Sequence, residues 1–292
     1  MFSLLRVSLL LIALFVFTLT IAWISPAPAE AIAPFKPSED YQLFFSLRDD
    51  IALGKKTAAE IDGNPKEYPI LDPAAYPEAY AYIQKIVNNL LSSGQVRYAQ
   101  QFPWRVRIIN RDILNAFCAP GGYIYVYTGL IRYLDAEYEL AGVMGHEMAH
   151  ADRRHTSRQL ERMYGLQLVS HLALGNSSST LATQVSQIAQ GLAGLGFSRA
   201  HEREADEWSV RYLCPTGYPA YGASLFFEKL QKDKDSGQRT PQFLSTHPDP
   251  GNRVQDIRNR SNKLRCQGTQ TFQAEYAAFK AKLPPTPAEP KQ

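Results

Sequence analysis

Five consecutive residues near the middle of the chain could do metal chemistry together: His146-Glu147-Met148-Ala149-His150. In a helix, one turn separates i from i+4, so His146 and His150 project from one face and can reach a single ion at about 2.0–2.1 Å. Glu147 lies beside them. It is too poorly directed to be a third ligand, yet it can hold water on the ion as a general base and pass the proton to a leaving amine. A catalytic zinc takes a third protein ligand and keeps one position open. That ligand is expected in Ser198-Arg199-Ala200-His201-Glu202-Arg203-Glu204-Ala205-Asp206, where Glu202 and Asp206 again stand at i, i+4. With Glu202 on the ion, Asp206 lies one turn on and can accept a ring N–H from a liganding histidine, while Glu204 should point elsewhere. Alone, this segment reads as a solvated charged helix face; following the His-Glu-x-x-His helix, it reads as the source of the third ligand. One zinc per chain is the expectation.

His155, five residues beyond His150, would point about 140° away on a continuous helix and reads as solvated. His171 reads as a partly buried helix residue, and His201 as rotated off the site. His247 is different. Pro248 disfavours the helical conformation at His247, and Asp249-Pro250 looks like an N-cap and first helical position for a helix over residues 251–260. A histidine fixed there can take the zinc's fourth position as a self-inhibiting gate, the reading we favour. Alternatively it donates a hydrogen bond to the tetrahedral oxyanion, as Arg253 can from the first turn, or it is a surface-loop histidine without a role. No two of the three cysteines stand at C-x-x-C spacing, so metal binding must come from His and carboxylates. Cys118 reads as a buried packing thiol; Cys214 and Cys266 either pair or stay reduced.

These residues need elements to hold them. Residues 38–61 and 73–91 have helical apolar spacing, the first opened by Ser38-Glu39-Asp40 and stopped by Asp62-Gly63-Asn64-Pro65. Residues 104–110 and 123–128 read as strands, with a hairpin at Pro120-Gly121-Gly122. After Asp135, read as the N-cap, a helix over 137–154 carries the two histidines. Two amphipathic helices, 156–174 and 180–195, are parted by a Gly/Ser hinge at 175–179 and could form a lid over the cleft. In the second, Leu181, Val185, Ile188, Leu192 and Leu195 make one narrow face that reads as ordinary packing.

The composition sets the wider frame. Of 292 residues, 45% are hydrophobic and 20% charged, enough to bury a real core. The net charge of +3 comes without a run of like charges, so no nucleic-acid partner is expected. Residues 1–31 read as a signal peptide or N-terminal anchor: Arg6, an apolar stretch over 7–24, then small residues with cleavage after Ala29 or Ala31. Residues 32–283 would be the metal-binding domain and 284–292 a disordered Pro-rich tail. No Cys follows the apolar stretch, which argues against a lipid anchor. The body is expected in a periplasm or equivalent lumen, with membrane proximity only through the N-terminal segment.

Taken together, these patterns make the chain resemble the gluzincin metallopeptidases that include the HtpX heat-shock proteases, the BepA-type envelope proteases and, more distantly, the CAAX prenyl proteases. The resemblance rests on Ala52-Leu53-Gly54-Lys55, Asn115-Ala116-Phe117, Pro120-Gly121-Gly122-Tyr123, Thr128-Gly129-Leu130, Glu139-Leu140-Ala141 leading to His146-Glu147-Met148-Ala149-His150, and Ser198-Arg199 with Glu202 and Ala205-Asp206. It ends at Ser245-Thr246-His247-Pro248 with Arg253. It implies His146, His150 and Glu202 as zinc ligands, Glu147 as base and Asp206 behind the ligands. The transmembrane hairpin of HtpX-like members and the helical repeats of BepA-type members are not found here, so the resemblance does not extend to membrane embedding or to a docking platform. The expected fold is α+β, a mainly helical zincin with a small β-sheet over the active-site helix. The expected function is an exported zinc-dependent endopeptidase of unfolded or misfolded envelope proteins, taking extended substrates along the sheet edge. The rivals are a zinc-stabilised chaperone or scaffold and a cell-wall amidase; oligomeric state is left open.

Overall fold

Three short strands carry apolar side chains on both faces, which buries the sheet between two layers of helix. β1 (Arg105–Ile109), β2 (Ala116–Ala119) and β3 (Tyr123–Tyr127) lie in the order β1-β3-β2, with β3 parallel to β1 and antiparallel to β2. Successive side chains of a strand point to opposite faces. Val106, Ile108, Ala116, Cys118, Ile124 and Val126 therefore enter the larger core, while Ile109, Phe117, Ala119 and the tyrosines of β3 enter a smaller one. Gly121 and Gly122 turn β2 into β3 at φ of 74° and 82°, a conformation glycine adopts at little cost.

The computed structural model describes residues 44–173, 179–235, 242–248 and 251–287. In chain order their helices are α1 (Leu47–Asp62), α2 (Pro77–Leu91), α3 (Thr128–Tyr133), α4 (Glu137–Asp152), α5 (His155–Ala173), α6 (Ser179–Leu192), α7 (Arg199–Leu213), α8 (Gly222–Asp235), α9 (Gln242–Thr246), α10 (Arg253–Lys263) and α11 (Gln273–Ala281). The mainly helical α+β architecture matches the expectation. The expected export segment at 1–31, the hinge at 175–178 and Asp249-Pro250 lie outside the described residues, as does the His171 side chain.

Several boundaries differ from the sequence reading, each for a local reason. α1 opens at Ser46, whose hydroxyl accepts from Asp49 N–H while the Asp49 carboxylate accepts from Ser46 N–H, a closed capping box. The N-cap of α4 is Ala136 rather than Asp135; there the Glu139 carboxylate reaches back to accept the Asp135 N–H at 3.1 Å. α4 ends at Asp152, and Arg154 takes a left-handed φ of 59° before α5 restarts at His155. α10 begins at Arg253, with Asn252 as N-cap. α5 is kinked at Gly165, where φ is 62° and ψ −160°.

A close backbone contact holds the sheet against α1. A Cβ on Gly54 would lie 1.8 Å from the Pro120 carbonyl oxygen, so this glycine lets α1 touch the β2–β3 turn. Leu181, Val185, Ile188 and Leu192 of α6 are buried with Leu53, Ala58 and Ile61 of α1 in the smaller core, the ordinary packing their spacing suggested. Cys214, which caps α7, is bonded to Cys266 beyond α10. Within the tail segment, Asn110 Nδ2 donates to the Pro285 carbonyl at 3.2 Å and Arg132 Nη1 to Thr286 Oγ1 at 2.6 Å. Among the described residues, no helix is long and apolar enough to cross a membrane.

Candidate metal centre

α4 is buried along almost its whole length, so its three chemical side chains sit inside the protein rather than on a surface. His146, Glu147 and His150 are each no more than 1% exposed. α7 crosses α4 and brings Glu202, Asp206 and Glu204; the end of α9 brings His247, and the first residue of α10 is Arg253. Four atoms able to bind a metal, one each from His146, His150, Glu202 and His247, lie within 4.8 Å of one another. His146 Nε2 is 3.0 Å from His150 Nε2 and 3.3 Å from His247 Nδ1, while Glu202 Oε1 is 3.1 Å from His247 Nδ1 and 3.4 Å from His150 Nε2. Donors of a tetrahedral zinc at about 2.0–2.1 Å stand roughly 3.3 Å apart. Imidazole and carboxylate donors at that spacing, buried from water, fit a single divalent ion.

The surrounding groups hold this set in place. His146 Nδ1 faces Asp206 Oδ1 at 2.9 Å, and Asp206 is clasped by the Arg253 guanidinium at 2.7 and 2.8 Å. Arg253 lies 3.8 Å from the Phe227 ring centroid and 3.0 Å from Glu202 Oε2. Phe197 stacks on His150 at 3.9 Å and Phe243 on His247 at 4.2 Å. The Phe197 N–H donates to the Thr246 carbonyl at 3.1 Å, closing the aromatic roof over the imidazoles.

Electrostatics separate the roles. Burial opposes ionisation of Glu202, yet the His247 charge and hydrogen bonds from His146, His150 and His247 hold it far below the usual carboxylate range. Burial pushes His150 well down, towards the neutral ring a metal requires. Burial and Arg253 also push His146 down, but hydrogen bonds to Asp206 and Glu202 outweigh them and raise it to about 9. Glu147 is raised by burial, which exceeds the opposing pull of His247 and His146. Its Oε1 accepts no hydrogen bond and is 3.5 Å from His247 Nε2.

The structure thus brings together every sequence-predicted site residue: His146, Glu147, His150, Glu202, Asp206, His247 and Arg253. It also corrects one assignment. His155 is fully buried, with Nδ1 3.0 Å from His150 Nδ1, because the left-handed turn at Arg154 ends the helix on which it would have pointed away. Glu204 does point away from the four-atom nest, but towards His155. His201, also buried, stacks on His155 at 4.4 Å. The sequence offered no signal for Phe197, Phe227 or Phe243, since aromatic residues in helices and loops serve any core.

The model of the family described as "Peptidase family M48" matches residues 77–261, from the start of α2 into the last turn of α10. The chain belongs to peptidase family M48. Among M48 relatives, the "Beta-barrel assembly-enhancing protease" of Yersinia pestis is 30% identical over 212 residues, 69% of this chain and 43% of that protein. The protein of the same name from Escherichia coli (strain K12) is 28% identical over 280 residues, 92% of this chain and 55% of its own length. The "Mitochondrial metalloendopeptidase OMA1" of Arabidopsis thaliana is 34% identical over 145 residues, 50% of this chain and 29% of that protein. The chain spans about half the length of the first two relatives.

Proposed function

We propose that this M48 chain is a zinc-dependent endopeptidase acting on unfolded polypeptides in an exported compartment. The observation that carries the reading is the four-atom nest with a buried carboxylate, Glu147, beside it whose Oε1 has no hydrogen bond. A purely structural metal site has no use for such a group. His146, His150 and Glu202 hold the ion, and Asp206, steadied by Arg253, keeps His146 in place. Zinc bound there supplies a Lewis acid for the scissile carbonyl and a lowered pKa for water. Glu147 takes the proton from water and gives it to the leaving amine; burial brings its carboxyl nearer the working pH, which suits both transfers.

His247 is the gate in this scheme. Its Nδ1 stands at the fourth corner of the nest, under the roof made by Phe197 and Phe243, so a substrate must displace it. Arg253 grips Asp206 with Nε and Nη2, and the same Nη2 lies 3.0 Å from Glu202 Oε2 and 3.1 Å from His146 Nε2, so we assign it to holding Asp206 and the ligand carboxylate rather than to the oxyanion. The outer strand β2 supplies an edge for an extended peptide. In this closed form the Asn115 side chain donates to the Ala193 carbonyl at 3.1 Å and Thr156 Oγ1 to the Cys118 carbonyl at 3.4 Å, so parts of α5 and the segment after α6 cover that edge. Opening of the start of α5 and of the segment after α6 then admits substrate, in the manner of a lid.

The leader-like residues 1–31 and the relatives named beta-barrel assembly-enhancing protease support substrates among exported proteins that have failed to fold. The test compares the wild type with Glu147→Gln for zinc content and hydrolysis of unfolded casein. One zinc in each, with cleavage only by the wild type, is expected. Equal suppression of casein aggregation by both, with cleavage by neither, would favour the chaperone reading.

A further inference from the structure

We infer that His155 and Glu204 are positioning residues of the metal centre, forming a hydrogen-bonded chain that fixes the ring of His150 much as Asp206 fixes His146. The inference rests on the zinc reading above. His150 turns Nε2 into the nest and leaves Nδ1 on the far side of the ring, 3.0 Å from His155 Nδ1. Two ring nitrogens this close, making one hydrogen bond, need one proton between them. The other end of the chain decides which nitrogen carries it.

His155 Nε2 is 3.2 Å from Glu204 Oε2, and an ionised carboxylate can only accept. The His155 proton therefore sits on Nε2, and Nδ1 of its neutral ring is an acceptor. The shared proton then belongs to His150 Nδ1, which leaves the His150 lone pair on Nε2, aimed into the nest. The tautomer and ring orientation that a metal needs are set before any ion arrives, the usual task of the partners behind a liganding histidine. Glu204 is itself fixed: Arg153 Nε donates to Oε1 at 2.7 Å, and the Arg153 guanidinium lies 4.7 Å from the Trp208 ring centroid. His155 is clamped by His201, with the rings 8° from parallel. α7 thus supplies one ligand, Glu202, and an anchoring carboxylate for each histidine of α4.

The test measures zinc affinity by competition with a chromogenic chelator for the wild type, His155→Leu, His155→Asn and Glu204→Gln, with circular dichroism of each zinc-free protein. His155→Leu removes the acceptor and should weaken zinc about 10- to 100-fold. Asn places its Oδ1 near the former Nδ1 and should recover most of that loss. Glu204→Gln, at a partly exposed side chain, loses the charge and leaves one acceptor oxygen for two donors, Arg153 Nε and His155 Nε2, and should weaken zinc by about tenfold. The cobalt-substituted protein should show altered visible absorption in His155→Leu alone. Zinc affinity within twofold of wild type in folded His155→Leu, or Asn no better than Leu, would overturn the inference. Should His155→Leu fail to fold, Glu204→Gln decides: unchanged affinity overturns the positioning role, and the tenfold loss supports it. A wild type that binds no zinc would defeat the peptidase reading and this inference together, whereas one zinc in the wild type confines any failure to His155 and Glu204.

Discussion

Glu147 and His247 stand 3.5 Å apart, yet their removal should have opposite effects. Glu147→Gln keeps the shape of the side chain and loses the proposed base, so hydrolysis of unfolded casein should fall by about 10²- to 10⁴-fold with zinc retained. On the proposed gate, His247→Ala opens the fourth corner of the nest and leaves His146, His150 and Glu202 in place, so the same assay should show faster cleavage with zinc still bound. A fall of about 10²-fold would instead make His247 an oxyanion donor, and a change below twofold would remove it from the mechanism.

At the scale of elements, the centre depends on how closely α4 can be approached. Gly142 faces α8, and a Cβ there would lie 2.1 Å from the Ala223 nitrogen, a backbone atom that cannot swing aside. The backbone of α7 also comes near, with Ser209 Oγ donating to the Gly142 carbonyl at 3.0 Å. Gly142→Ala should therefore push α4 and α8 apart and cost about 1–3 kcal/mol or more. Thermal unfolding should register this as a Tm lower by at least ~3 °C. Gly191, near the end of α6, has nothing within 4 Å of the point where a methyl group would stand, and Gly191→Ala should leave Tm unchanged or raise it through helix propensity. Equal losses at both glycines would mean that close crossing is not what Gly142 provides.

For the molecule as a whole, the Cys214–Cys266 disulfide ties the end of α7 to the chain beyond α10, across 52 residues of sequence. This is the part of the chain that presents His247 and Arg253 to the α4 histidines. Closing a loop of that length in the unfolded chain is worth about 4 kcal/mol in the chain-entropy description. Reduction, or Cys214→Ser, should lower Tm on the order of 10 °C. Thiol titration checks the bond directly. Unfolded but unreduced protein should show one reactive thiol, Cys118, and reduced protein three. The native protein should show almost none, since burial and then the Glu147 charge push the Cys118 thiol well up.

The parts of this protein legible in its residues are those governed by neighbours in the chain. His146 and His150 share a helix face because one turn separates them, and the same holds for Glu202 and Asp206. The glycines at 121 and 122 announce a turn because other residues pay a steric penalty there, and the α6 stripe announces its packing because its period is helical. His155 escaped this logic because the angle expected of it assumed an unbroken helix, and the left-handed Arg154 breaks it. The export-type leader remains an expectation of sequence, outside the described residues. Pro248 marked His247 as a fixed histidine, but its contact with histidines about a hundred residues earlier, the pairing of Cys214 with Cys266 and the aromatic roof of Phe197 and Phe243 are set by no spacing within one element. They follow from how α7, α9 and α10 pack on α4, and such long-range contacts depend on the summed burial of many side chains rather than on any spacing within one helix.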